Sequence, residues 1–256
     1  MILLALRFLL APALVAAASL ASRKWGDSVG GWLAAFPFVA GPLLLVMTLE
    51  HGTGFGASSA LSALSGITAL AVFAVCYAHL ARSIHWALAL PIGWSLYLGS
   101  AALMRPLEHG LVASLLGAFS SLWLATALLP RNPPTTDSDE PRQPPWWDLL
   151  ARMASAAALV GSVATLSERL GPSWSGLLTP FPISTTILVA FAHAQDGHPA
   201  VARMLTGFLP ALSGLTLFFA TLSVVLVPLG PWAGFGLALG VSVATQSLLL
   251  WSRSRG

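Results

Sequence analysis

Apolar stretches separated by short polar, glycine or proline turns run from one end of the chain to the other. They predict helices at roughly 2–21, 30–49, 58–80, 85–104, 109–129, 147–167, 175–195, 203–227 and 231–251. Each is about 20 residues, the length that crosses a hydrocarbon core ~30 Å thick. One interval breaks the pattern. Pro130 to Pro145, PRNPPTTDSDEPRQPP, is too polar and proline-rich to pack and reads as a flexible linker.

The pattern also repeats. Val29 to Gly52, VGGWLAAFPFVAGPLLLVMTLEHG, aligns without a gap on Trp174 to Gly197, WSGLLTPFPISTTILVAFAHAQDG, 145 positions later. Gly31 meets Gly176, Phe36-Pro37 meets Phe181-Pro182, and Gly52 meets Gly197. Upstream, Arg7 meets Arg152 and Lys24 meets Arg169; downstream, after a shift of three, Ala63 to Thr68 meets Ala211 to Thr216. The chain therefore reads as a first four-helix repeat (1–105), a connector helix (106–129), the linker (130–146) and a second four-helix repeat (147–256). Duplicated units of this kind are common in transport proteins.

Composition fixes the broad class. Hydrophobic residues are 56% of the chain and charged residues 8%, too few to cover a water-exposed surface. The expected fold is all-α, a polytopic membrane helix bundle of about nine spans. Leu10 to Ala21 resembles a cleavable leader, but its repeat partner is internal, so it is kept as a helix. A four-span unit followed by one further span places the second unit upside down, giving two inverted repeats. Were the connector not a true span, the repeats would be parallel. Arg23, Lys24, Arg82, Arg131, Arg142, Arg203, Arg253 and Arg255 collect on one face. Enrichment in Lys and Arg marks that face as cytoplasmic, with the N-terminus outside and the C-terminus inside. A net charge of +3, dispersed along the chain, does not argue for nucleic acid.

Candidate chemistry centres on the second helix of each repeat. Proline removes a backbone donor and clashes with the preceding turn, so Pro37 and Pro182 are expected to kink or interrupt their helices. Such breaks at matching positions of two halves point to a substrate site at mid-depth. Gly31 and Gly176 allow close backbone approach there, Phe36 and Phe181 flank it, and Ser184 and Thr185 offer hydroxyls. Arg7 and Arg152 read either as cations snorkelling to opposite interfaces or as a pair that attracts an anion. Glu50 and His193 are candidate proton-coupling groups at helix ends, His79 a candidate for an interhelical hydrogen bond. Enzyme signatures are missing: the six histidines show no metal spacing, and the single cysteine, Cys76, excludes thiolate clusters. No cofactor is expected.

The repeated passages, Gly31-Trp32-Leu33-Ala34-Ala35-Phe36-Pro37 with Gly52 and Gly176-Leu177-Leu178-Thr179-Pro180-Phe181-Pro182 with Gly197, resemble the second apolar segment of the small GlpM-like bacterial inner-membrane proteins. The resemblance covers about 25 residues per half. It implies a bacterial inner-membrane location more firmly than an activity, and suggests that the smaller relatives assemble as antiparallel dimers. The expectation is a transporter or translocator embedded in the lipid bilayer, with a site between two inverted halves for an unknown small solute, a small anion or a lipid-linked molecule. A homodimer is left open. The competing expectation is a non-transporting accessory protein packed against a partner.

Overall fold

A computed structural model describes residues 2–37, 40–104, 110–130, 145–170 and 181–253. Among them there are eight helices and no strand. They are α1 (Ile2–Trp25), α2 (Asp27–Ala34), α3 (Ala40–His51), α4 (Thr53–Leu80), α5 (Trp86–Met104), α6 (Leu111–Leu128), α7 (Asp148–Leu170) and α8 (Ile183–Arg253). The last is three helical arms, 183–196, 198–229 and 231–253, because Gly197 and Gly230 leave helical geometry. Four helices, α4, α5, α6 and the long α8, are apolar and long enough to cross a membrane.

One expected element changes form. The stretch 30–49 is not a single span: α2 and α3 are 8 and 12 residues long, and Pro37 stands between them. Ala35 and Phe36 close α2 with tight turns onto the Trp32 and Leu33 carbonyls, and α3 opens with the Gly41 amide bonded to the Pro37 carbonyl at 2.7 Å. Proline at the start of a helix loses no bond it would otherwise make. Pro182 does the same for α8, its carbonyl accepting from the Thr186 amide at 2.7 Å.

Sharp junctions are set by glycine. Gly26, Gly52, Gly197 and Gly230 have φ of 96°, 92°, 75° and 76°, with extended ψ at each, a region open essentially to glycine alone. Gly52 and Gly197 are repeat partners, so the two copies share an unusual backbone turn as well as residues. No atom would crowd a Cβ on Gly52, so the cost of Gly52→Ala is purely conformational. It is expected to lower stability by about 1–3 kcal/mol, read as a lower unfolding midpoint in detergent. Gly54→Ala, equally uncrowded but helical, should leave the midpoint unchanged or raise it.

At the centre, α4 packs on α8, α5, α6 and α3, and buries Ala60, Leu64, Ile67, Leu70, Phe73 and Tyr77. Near its start, a Cβ on Gly56 would meet Leu226, and further along Leu70 shares a cavity with Phe208 and Leu212, so α4 runs antiparallel to the 198–229 arm. The pair α1 and α7 is antiparallel as well: Arg23, on the last turn of α1, touches Asp148 on the first turn of α7, while Val15 shares a buried cluster with Ala156 and Val160. In both cases the two helices occupy positions that align with each other in the sequence.

The outer faces are apolar. Leu88 and Leu103 on α5, Val112, Leu116 and Trp123 on α6, and Val224, Trp232 and Leu248 on α8 are all more than half exposed. A water-soluble protein rarely shows contiguous surface of this kind; a lipid-facing bundle requires it. Trp25, Trp146 and Trp251 are exposed at helix ends, where an indole suits the headgroup zone.

Candidate functional site

Although 145 positions apart in sequence, the break at Pro37 and the start of α8 at Pro182 border one cavity of about 80 Å³; the interruption expected ahead of Pro182 falls on 171–180, outside the described residues. Leu33, Ala34, Phe36 and Ala40 come from the break between α2 and α3, and Phe181, Pro182, Ile183, Ser184 and Thr185 from the start of α8. Leu14, Ala17 and Ala18 of α1, Leu70 of α4 and Phe208, Leu212 and Leu215 of α8 complete the lining. Leu70 and Leu212 lie near the middles of α4 and the 198–229 arm, so the cavity sits at mid-length of the surrounding helices. Room for a few water molecules or a short alkyl segment is available at this volume.

Aromatic packing holds the start of α8. The Phe181 ring meets the Tyr97 ring edge-on at 5.3 Å and the Trp94 ring at 6.1 Å, and Trp94 Nε1 donates to Thr186 Oγ1 at 3.1 Å. At the first break the Trp32 and Phe36 rings meet edge-on at 4.9 Å. The two indoles are not equivalent: among the described residues, Trp32 Nε1 is buried without a partner. Polar character in the cavity comes from the hydroxyls of Ser184, half-buried, and Thr185, buried. Among the described residues, no charged side chain lines the cavity.

The structure brings Phe36, Phe181, Pro182, Ser184 and Thr185 together at the cavity and Pro37, buried, beside it. It places the other candidates elsewhere. Gly31 serves helix packing, its backbone lying against the Met204 carbonyl of α8. Arg152, 7% exposed, donates from Nε to Asp148 Oδ2 at 2.8 Å and from Nη2 to Gln195 Oε1 at 3.3 Å. Its guanidinium lies 4.7 Å from the centre of the Phe191 ring, a cation–π contact. Glu50 is exposed at the end of α3. His193 is half-buried and its Nδ1 lies 3.3 Å from the Tyr77 hydroxyl. The Arg7 side chain and Gly176 lie outside the described residues.

Asp148 is the polar residue that sequence reading passed over. Its carboxylate is fully buried and accepts from Arg23, Arg152 and Gln195. The available signal was an acid opening an apolar helix four positions before Arg152, the spacing that puts both on one face. Among the described residues no cluster of three or more histidine, cysteine or acidic side chains is placed to hold a metal. Comparison with family profiles, curated proteins and solved structures gave no match.

Proposed function

We propose that this is an integral membrane transporter or translocator, built from two inverted four-helix repeats joined by α6 and crossing the bilayer about nine times. In this reading the solute passes through the cavity between the two proline breaks. The observation that carries it is the convergence of the Pro37 break and the Pro182 start of α8, distant in sequence and aligned with each other in it, on one mid-length cavity. Broken helices that meet at mid-depth are where secondary transporters hold their solutes. The antiparallel packing of α1 on α7 and of α4 on the 198–229 arm supports an inverted relation of the halves. The likeness of the repeated passage to GlpM-like proteins favours a bacterial inner membrane.

The lining argues about the solute. Two hydroxyls among described lining residues that are otherwise apolar favour an uncharged solute or the chain of a lipid-like molecule, because an ion meeting these residues would lose its hydration without gaining a counter-charge from them. Arg152, the cation that would suit an anion, is engaged by Asp148 and Gln195.

The test is labelling by a membrane-impermeant maleimide in sealed vesicles. In a Cys76→Ser background, Ala34→Cys and Ser184→Cys are expected to react from an aqueous side, whereas Leu64→Cys, in the dry core of α4, is not. Protection of both cavity positions from both sides would sink the transport reading and leave the breaks a packing role.

A further inference from the structure

Two ion pairs tie the halves together at one end of the molecule. Arg23 of α1 reaches Asp148 of α7. Arg203 of α8 donates from Nε to Asp27 Oδ2 of α2 at 3.0 Å, and the other oxygen of Asp27 accepts from Ser22 at 2.9 Å. In each pair one partner belongs to residues 1–105 and the other to 147–256. Both lie at the α1–α2 junction, where Ser22, Arg23 and Asp27 flank Gly26.

This end lies directly beyond the cavity. Ala18 lines the cavity and Ser22 follows it by four residues on α1; Phe208 lines it and Arg203 precedes it by five on α8; Leu33 lines it and Asp27 precedes it by six on α2. At about 1.5 Å per residue the pairs stand roughly 6–9 Å from the lining. The repeat does not reproduce them at the other end: Leu3 stands where Asp148 has its partner, Pro172 where Asp27 has its own, and Phe55 where Arg203 has its own. Both pairs span the seam between the halves at the Asp27 end.

We propose that Arg23–Asp148 and Asp27–Arg203 form an ion latch that holds the cavity shut towards their end, the end assigned to the cytoplasm by charge distribution. The latch rests on the transport reading above and adds which side is closed and what closes it. Opening to that side exchanges these pairs for solvated charges, and closing remakes them.

The Asp27–Arg203 pair is the better one to test, since both side chains are partly exposed, 21% and 32%, and tolerate exchange. The full chain in sealed vesicles, with Cys76→Ser and Ser184→Cys, would be labelled from the latch side by impermeant maleimide. Asp27→Arg alone and Arg203→Asp alone are each expected to speed labelling about tenfold, a modest shift of population towards the open state. The double exchange, which restores the pair with its sign reversed, should return the slow rate. Asp27→Asn provides a milder break if the reversed charge unfolds the protein, as read by size-exclusion elution. Equal rates in the parent, both single variants and Asp27→Asn would overturn the latch while leaving the cavity intact. So would a double exchange as fast as the singles. Ala34→Cys serves as the probe if Ser184→Cys is silent, and failure of both to react from either side would instead remove the transport reading and the latch with it.

Discussion

Asp148→Ala is expected to destabilise the protein by about 3–5 kcal/mol, the range for removing one partner of a buried ion pair. The carboxylate has no solvent access and three donors converge on it from three helices: Arg23 on α1, Arg152 on α7 and Gln195 on α8. Without it, the Arg152 guanidinium stays buried over Phe191 with its closest counter-charge gone, and Arg23 loses its hold on the second half. The penalty comes from the stranded cation more than from the lost attraction, and that difference can be measured. Asp148→Leu combined with Arg152→Met removes both charges and keeps volume, so it should recover most of the loss. The readout is the thermal unfolding midpoint in detergent. A single variant as stable as the parent, or a double variant as unstable as Asp148→Ala, would show that the cluster is not an ion-paired anchor.

Element positions were legible because apolar length and periodicity are written directly into the chain: each predicted stretch overlaps a helix among the described residues. Gly52 and Gly197 explain why the repeat could be found, since a backbone conformation that only glycine adopts leaves an invariant letter at each copy. His79 also lies where its sequence context suggested, Nε2 bonded to the Leu128 carbonyl of α6 at 3.0 Å. What could not be read was which residues of distant segments share a wall. Gly31 and Phe36 lie on one short passage and looked alike as candidates, yet Phe36 borders the cavity and Gly31 faces Met204. That division depends on the rotation of α2 against α8, which no local pattern encodes. Leu14, Ala17 and Ala18 were invisible for the same reason: an apolar residue lining a cavity and one facing lipid have the same composition. Asp148 was missed because a single acid at a predicted helix start reads as a solvated cap until another helix is known to cover it.

A close backbone approach between α2 and α8 gives the second large prediction. A Cβ placed on Gly31 would lie 1.9 Å from the Met204 carbonyl oxygen and 2.8 Å from its carbon; one placed on Gly207 would lie 1.9 Å from the Ser28 carbonyl oxygen. The two glycines act reciprocally, each giving the other helix's backbone room, in the manner of small-residue contacts between membrane helices. Since the obstructing atoms are backbone, no rotamer change can relieve them, and α2 must move bodily away from α8. Gly31→Ala and Gly207→Ala are each expected to cost about 3 kcal/mol or more, the upper part of the range for overpacking. Gly99→Ala, with open space around it, should be neutral. Because Leu33 and Ala34, on the last turn of α2, line the cavity, the same displacement should alter maleimide labelling at Ala34→Cys while leaving Leu64→Cys protected. Unchanged stability in both alanine variants would mean that α2 does not lie against α8 at this distance, and the convergence of the two breaks on one cavity would lose the contact that positions the first of them.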